Sequence, residues 1–144
     1  GGRASHGVIF DFINKLKQNR SELEILGDGT QEKPYLYIDD CVDGILFGFK
    51  RSREQVNVLN LGVNSSTNVT AIANMVVEAM GLFGVKFRYT GGNRGWRGDV
   101  PQIRYDISKI SRLGWKPKYS SDEAVKHAIR DTMMTESQIR LHGS

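Results

Sequence analysis

Apolar positions change their spacing several times along the chain, and each change predicts an element. Val8, Ile9, Phe12, Ile13 and Leu16 recur every three or four residues, the period of one helix face, and predict a helix over 8–18. The preceding residues, Gly1 to Gly7, contain three glycines and no period, and read as a connector. Leu23 to Leu26 forms a short β-prone run, and Gly27-Asp28-Gly29 supplies a turn after it. Tyr35 to Ile38 predicts a second strand, with Pro34 leading into it. Asp39 or Asp40 is the expected cap of the next helix, on which Val42, Ile45, Leu46 and Phe49 share a face. Val56 to Leu61 reads as a third strand closed by Gly62.

The same reading continues to the C-terminus. Thr67 is the expected cap of a helix over 68–80, with Val69, Ile72, Val76 and Met80 as its stripe and Gly81 as its stop. Lys86 to Tyr89 alternates and predicts a fourth strand, and residues 91–101 are glycine-rich and irregular. Asp106 caps a short helix that ends at Gly114. Ser120 and Glu123 have the spacing of a capping box, in which each side chain satisfies the other's backbone amide. Val125, Ala128, Ile129 and Met133 then line the last helix. Short strands and about five helices predict a mixed α/β (α+β) chain organised as a single domain over 1–144. The strands are too few for a doubly wound nucleotide-binding sheet. The elements read as part of something larger.

Composition narrows the class. A hydrophobic share of 39% over 144 residues supports a modest core. The net charge is +4, and its charges of both signs are interspersed, which argues against nucleic-acid binding. The lone Cys41 excludes an internal disulfide. Its apolar neighbours Ile38, Val42 and Ile45 predict a buried thiol, in keeping with a reducing compartment. No apolar run is long enough to span a membrane. The expected location is cytoplasmic, and the sequons at Asn64 and Asn68 are discounted accordingly.

Two motifs imitate dinucleotide chemistry by letter. Gly92, Gly95 and Gly98 have the spacing of a pyrophosphate-binding turn. Such a turn works only where it opens a helix, whereas Asp99-Val-Pro101 follows with no amphipathic run, and Trp96 crowds the approach. Tyr105 and Lys109 have the spacing of a tyrosine acid/base and its lysine. Asp106 as a cap puts Tyr105 outside the helix, so the pair does not share a face. His6, His127 and His142 are isolated, so no metal site is expected. Asp39, Asp40 and Asp43 are accounted for by a helix N-terminus.

Several segments, in order, resemble one family. His6 to Ile13, Leu23 to Gln31, Tyr35 to Val42, Val58 to Gly62, Gly98 to Pro101 and Asp106 to Pro117 resemble the C-terminal part of extended short-chain dehydrogenases. The likeness is to the NAD-dependent nucleotide-sugar epimerase/dehydratase group, UDP-glucose 4-epimerase-like members included. The run from Asp106 to Pro117 is the most specific piece. The resemblance implies a substrate-binding C-terminal fragment without a complete Rossmann sheet. NAD(P) and the catalytic Ser/Thr, Tyr and Lys belong to an N-terminal Rossmann half that this chain lacks. No catalytic residue and no cofactor site are therefore expected in the chain, which alone should be inactive.

The resemblance also assigns binding roles. Lys33 stands where the family carries a diphosphate-binding arginine two residues after glutamine, and lysine lacks arginine's bidentate fork. Arg94 or Arg97 corresponds to the second basic residue, and Asp99 would orient an arginine or accept a sugar hydroxyl. Glu24, Ile25 and Leu26 lie on the strand beside the base, while Gly7 and Val8 open a helix facing the nucleotide. The implied ligand is a nucleoside-diphosphate sugar. The implied macromolecular partner is a second copy or a Rossmann half. The alternative is a non-catalytic interaction or oligomerisation module derived from the same fold.

Overall fold

The computed structural model describes residues 3–51, 65–91 and 114–142, with backbone alone at 3–6 and 48–51. Within these bounds the order is α1 (Arg3–Gln18), β1 (Glu22–Ile25), β2 (Glu32–Lys33), α2 (Ile38–Arg51), β3 (Thr67–Asn68), α3 (Val69–Ala79), β4 (Lys86–Tyr89) and α4 (Ser121–His142). The architecture is mixed α/β. β1 and β4 pair in parallel, with Leu23 opposite Phe87 and Ile25 opposite Tyr89. β2 and β3 form a short antiparallel pair, with Glu32 opposite Asn68 and Lys33 opposite Thr67.

The core lies where α1, α3 and α4 pack together and β1 lies on α1. Alternation along β1 buries Leu23 and Ile25 and turns Glu22 and Glu24 outward. On α1 the expected stripe is buried throughout: Val8, Ile9, Phe12, Ile13 and Leu16. Ile72, Ala73 and Val76 of α3 and Val125 and Ile129 of α4 complete the cluster. Hydrophobic burial supplies most of the drive for such an assembly.

The ends of α3 show how local chemistry sets boundaries. Asn68, not the expected Thr67, is the N-cap: its side-chain oxygen accepts from the Ala71 amide at 2.7 Å. Thr67 is buried with its hydroxyl engaged elsewhere, so the next residue caps. At the other end Gly81 adopts φ +68°. Its amide bonds to the Glu78 carbonyl, and the Leu82 amide bonds to that of Val77, the paired arrangement a left-handed glycine permits. The capping box at α4 forms as expected: Ser120 N–H donates to Glu123 Oε1 at 3.2 Å, and Glu123 N–H to Ser120 Oγ at 3.3 Å.

Other expectations are corrected. Helix α1 begins at Arg3 rather than residue 8, so the segment read as a connector is largely helical. Tyr35 to Tyr37 is not a strand. The Tyr35 amide is taken by Ser121 Oγ, and the Tyr37 carbonyl accepts from Cys41 N–H as α2 begins. Ile38, Val42, Ile45 and Leu46 make a continuous stripe on α2 that stays 50–58% exposed. Cys41 is half-buried rather than enclosed. The expected strand at 56–61 and helix after Asp106 lie outside the described residues.

Candidate functional site

The parallel pairing of β1 and β4 sends both strands out at one edge of the sheet. Loops beyond the carboxyl ends of parallel strands are where α/β folds hold ligands. Here the two exits are tied together. Gly27 N–H donates to Thr90 Oγ1 at 2.8 Å, and Gly91 N–H donates to the Gly27 carbonyl at 2.8 Å. One strand leads through Gly27-Asp28-Gly29 to Lys33. The other leads through Gly91 toward Arg94, Arg97 and Asp99. Those last three lie outside the described residues.

The turn between β1 and β2 is held on both sides. Gly29 has φ +80°, and a Cβ there would stand 2.3 Å from Tyr89 Cε1 and 2.5 Å from Thr70 Oγ1. Only glycine fits such a position. Thr70 Oγ1 donates to the Gly29 carbonyl at 3.1 Å and contacts Tyr89 Oη at 3.0 Å. Asp28 accepts from the Thr30 hydroxyl at 2.6 Å and amide at 2.9 Å. Those bonds, the hydroxyl's first, hold its carboxyl below the usual carboxylate range. The Gln31 side chain is the exception: both of its polar atoms are buried with no hydrogen-bond partner.

Lys33 closes the segment, half-buried, in register with Thr67. Its carbonyl lies 3.4 Å from the hydroxyl of buried Ser121. Glu24 precedes the turn on β1 and Lys33 follows it on β2. Glu24 points outward but is engaged: Arg88 donates to it at 2.7 Å, and Lys15 stands at 3.5 Å. The Arg88 hydrogen bond, then the Lys15 charge, holds the Glu24 carboxyl below its ordinary value. Ile25 is fully buried and Leu26 half-buried. The side chain of Ile25 therefore belongs to the core, and a ligand would meet only its backbone.

Gly7 and Val8 are not at a helix N-terminus. With α1 starting at Arg3, their amides point back to carbonyls four residues earlier, and Val8 is part of the core. The reason is sequence-local: Arg3 to His6 continue the helix without a proline or a break.

Three long-range features have no signal in the sequence. Asp40 is buried, and its two carboxylate oxygens accept from the amides of Lys118 and Tyr119 at 2.9 and 3.0 Å. Asp43 accepts from the Trp115 indole at 3.2 Å. Because α2 begins at Ile38, Asp39 and Asp40 lie inside its first turn and neither is the expected cap; Asp40 and Asp43 instead hold a distant loop against the helix. Tyr37 likewise donates to Asp131 at 2.7 Å, and that bond, with burial, pushes its pKa up to about 12. Proximity of 40 to 118 leaves no local signal.

The turn after β1 runs into β2, not into a helix, so it offers no helix N-terminus for a dinucleotide pyrophosphate. The glycine pattern at 92–98 and the Tyr105/Lys109 pair lie outside the described residues. Among the described residues no cluster of His, Cys, Asp or Glu is arranged to hold a metal ion. No helix among them is long and apolar enough to cross a membrane.

A parallel strand pair thus lies beside α1, which packs with α3 and α4, and glycine turns follow the carboxyl edge of the pair. The chain belongs to the NAD dependent epimerase/dehydratase family, whose sequence pattern matches residues 1–62. It is 32% identical over 123 residues to a UDP-glucuronate 4-epimerase of Thermodesulfobacterium geofontis, covering 84% of this chain and 36% of that protein. The crystal structure of a UDP-galactose 4-epimerase superposes with a TM-score of 0.72 at 35% identity, covering 90% of this chain and 41% of that one. A UDP-glucose 4-epimerase of Thermotoga maritima, solved with UDP-glucose, superposes at 0.66 with 28% identity, covering 89% and 39%. The chain thus spans about two fifths of the length of these relatives.

Proposed function

We propose that this chain forms the C-terminal, nucleoside-diphosphate-sugar-binding part of an NAD-dependent epimerase or dehydratase, a single unit over residues 1–144. In this reading Lys33 places a positive charge against the diphosphate, with Arg94 or Arg97 as the second cation and Asp99 orienting one of them. NAD(P) and the proton-transferring residues belong to an N-terminal Rossmann half, so the chain alone performs no turnover. The location would be cytoplasmic.

One observation carries this reading: the Gly27–Thr90–Gly91 hydrogen bonds join the segment leading to Lys33 to the segment leading to the arginines. The two segments that lead toward these cations thereby leave one sheet edge together, and a diphosphate needs cations on both of its phosphates. The unpartnered Gln31 carboxamide supports it as well, since a buried polar group gains from any polar atom that reaches it. The Tyr89 ring over Gly29 keeps the turn in one shape. Calorimetric titration with UDP- and dTDP-sugars tests the proposal. Weak binding is expected, weakened further by Lys33→Met and by Arg94→Ala or Arg97→Ala. Binding that ignores all three changes refutes it. Conversion of a nucleotide sugar by this chain with added NAD refutes the assignment of catalysis to another half.

A second reading, an interaction module, is favoured by the exposed stripe Ile38, Val42, Ile45 and Leu46. Such a patch favours association, here with a second copy or a Rossmann half. Sedimentation at high concentration tests self-association: a dimer dispersed by Ile45→Glu supports it, and a monomer counts against it.

A further inference from the structure

The strand that carries Lys33 is fastened from behind by a hydrogen-bonded chain whose direction can be worked out. Ser121 is fully buried and Thr67 is 2% exposed. The Tyr35 amide donates to Ser121 Oγ at 3.1 Å. Ser121 Oγ and Thr67 Oγ1 are 2.7 Å apart. Thr67 Oγ1 lies 2.6 Å from Asp122 Oδ1. A carboxylate only accepts, so the single Thr67 proton points to Asp122. Thr67 must then accept across the shorter contact, and the Ser121 proton points to Thr67, leaving its 3.4 Å approach to the Lys33 carbonyl as the weaker branch.

The order is therefore Tyr35 N–H to Ser121, Ser121 to Thr67, and Thr67 to Asp122. Hydrogen bonds aligned head to tail polarise one another. The chain ends on an anion in the first turn of α4, where the helix dipole favours negative charge. Lys33 and its neighbours are gripped twice. The ladder pairs Lys33 with Thr67, and Ser121 takes the amide two residues further on.

We propose that Thr67, Ser121 and Asp122 are positioning residues for Lys33: their proton chain fixes the direction in which β2 presents the lysine ammonium to a phosphorylated ligand. This rests on the reading that Lys33 binds a diphosphate, and the experiment separates the two. UDP is the probe, titrated by calorimetry well below each variant's melting temperature. Lys33→Met should weaken UDP by about tenfold or more, the worth of a charge-assisted hydrogen bond. Ser121→Ala and Thr67→Val should each weaken it by about threefold or more, the low end of coupling within one network. Thr67→Ser, which keeps the hydroxyl, should restore wild-type affinity.

A merely structural role would lower the melting temperature and leave the affinity of folded protein unchanged. The decisive comparison is the double variant: Ser121→Ala should cost nothing further once Lys33 is methionine. Asp122→Asn, at an exposed position, supplies a milder variant should the buried ones fail to fold, and should also weaken UDP only when Lys33 is present. If Lys33→Met weakens UDP and none of the network variants does, the positioning role is overturned while the diphosphate reading stands. If Lys33→Met changes nothing, both fall.

Discussion

Helices α1 and α2 carry the same kind of apolar stripe and meet opposite surroundings. Ile9, Phe12, Ile13 and Leu16 are enclosed by β1, α3 and α4, whereas Ile38, Val42, Ile45 and Leu46 face outward. Among the described residues, polar bonds anchor the N-terminal part of α2: Asp40 on two amides of the 118–119 loop, Asp43 on Trp115, and Tyr37 just before it on Asp131. A helical period identifies an apolar face, and burial of that face is a separate matter. The period does not say what covers the face, or that the cover lies within the same chain.

The sharpest way to break this contrast is to truncate one residue in each stripe. Leu16→Ala should destabilise by about 2–5 kcal/mol, the cost of removing three carbons and leaving a cavity in a closed core, read from the midpoint of urea denaturation. Asp40→Ala comes next. It leaves two partly buried backbone amides without their partner and should cost about 1–3 kcal/mol in total. Hydrogen exchange should show α2 amides losing protection while those of α1 keep theirs. If α1 opens equally, the polar anchoring of α2 is not separable.

A third test uses pH. The neutral Tyr37 hydroxyl is the donor to Asp131, and its pKa rises from 10.0 to about 12. A raised folded-state value favours the protonated form. Its contribution is therefore complete below pH 10 and lost as pH climbs through about 12. The stability difference between wild type and Tyr37→Phe should shrink over that window and stay constant below it, measured by denaturant titration at each pH. The smallest effect is expected on the open stripe: Ile45→Ala should change the stability of the chain by no more than about 0.5 kcal/mol.

Much of the fold was legible because its signals are local. The alternation of Leu23 and Ile25, the stripe of α1, the Gly81 stop and the Ser120/Glu123 box each need only a few neighbouring residues. The misreadings share a cause. Thr67 has capping chemistry, but Ser121 and Asp122, more than fifty residues away, claim its hydroxyl. Tyr35 to Tyr37 has strand composition, but Ser121 takes the amide that a ladder would use. The glycines at 1, 2 and 7 read as a connector, yet Gly7 is an ordinary helical residue and α1 begins at Arg3. For the candidate site, the family resemblance points to Lys33 by its place two residues after Gln31, while the bonds that bring residues 27 and 91 together depend on parallel pairing across more than sixty residues. No spacing in the sequence announces that pairing.

The ring of Tyr89 over Gly29 has a consequence for chain length. Because the turn is filled and its backbone fixed, it cannot absorb a change in residue number by bulging. Side chains alternate sides along a strand, so one residue inserted between Gly29 and Glu32 would rotate every later position of β2 by half a period. Thr67 would then face a different partner, and the lysine would be delivered to the opposite surface. Variation in loop length, usually the cheapest kind on a protein exterior, is at this point equivalent to deleting the cation.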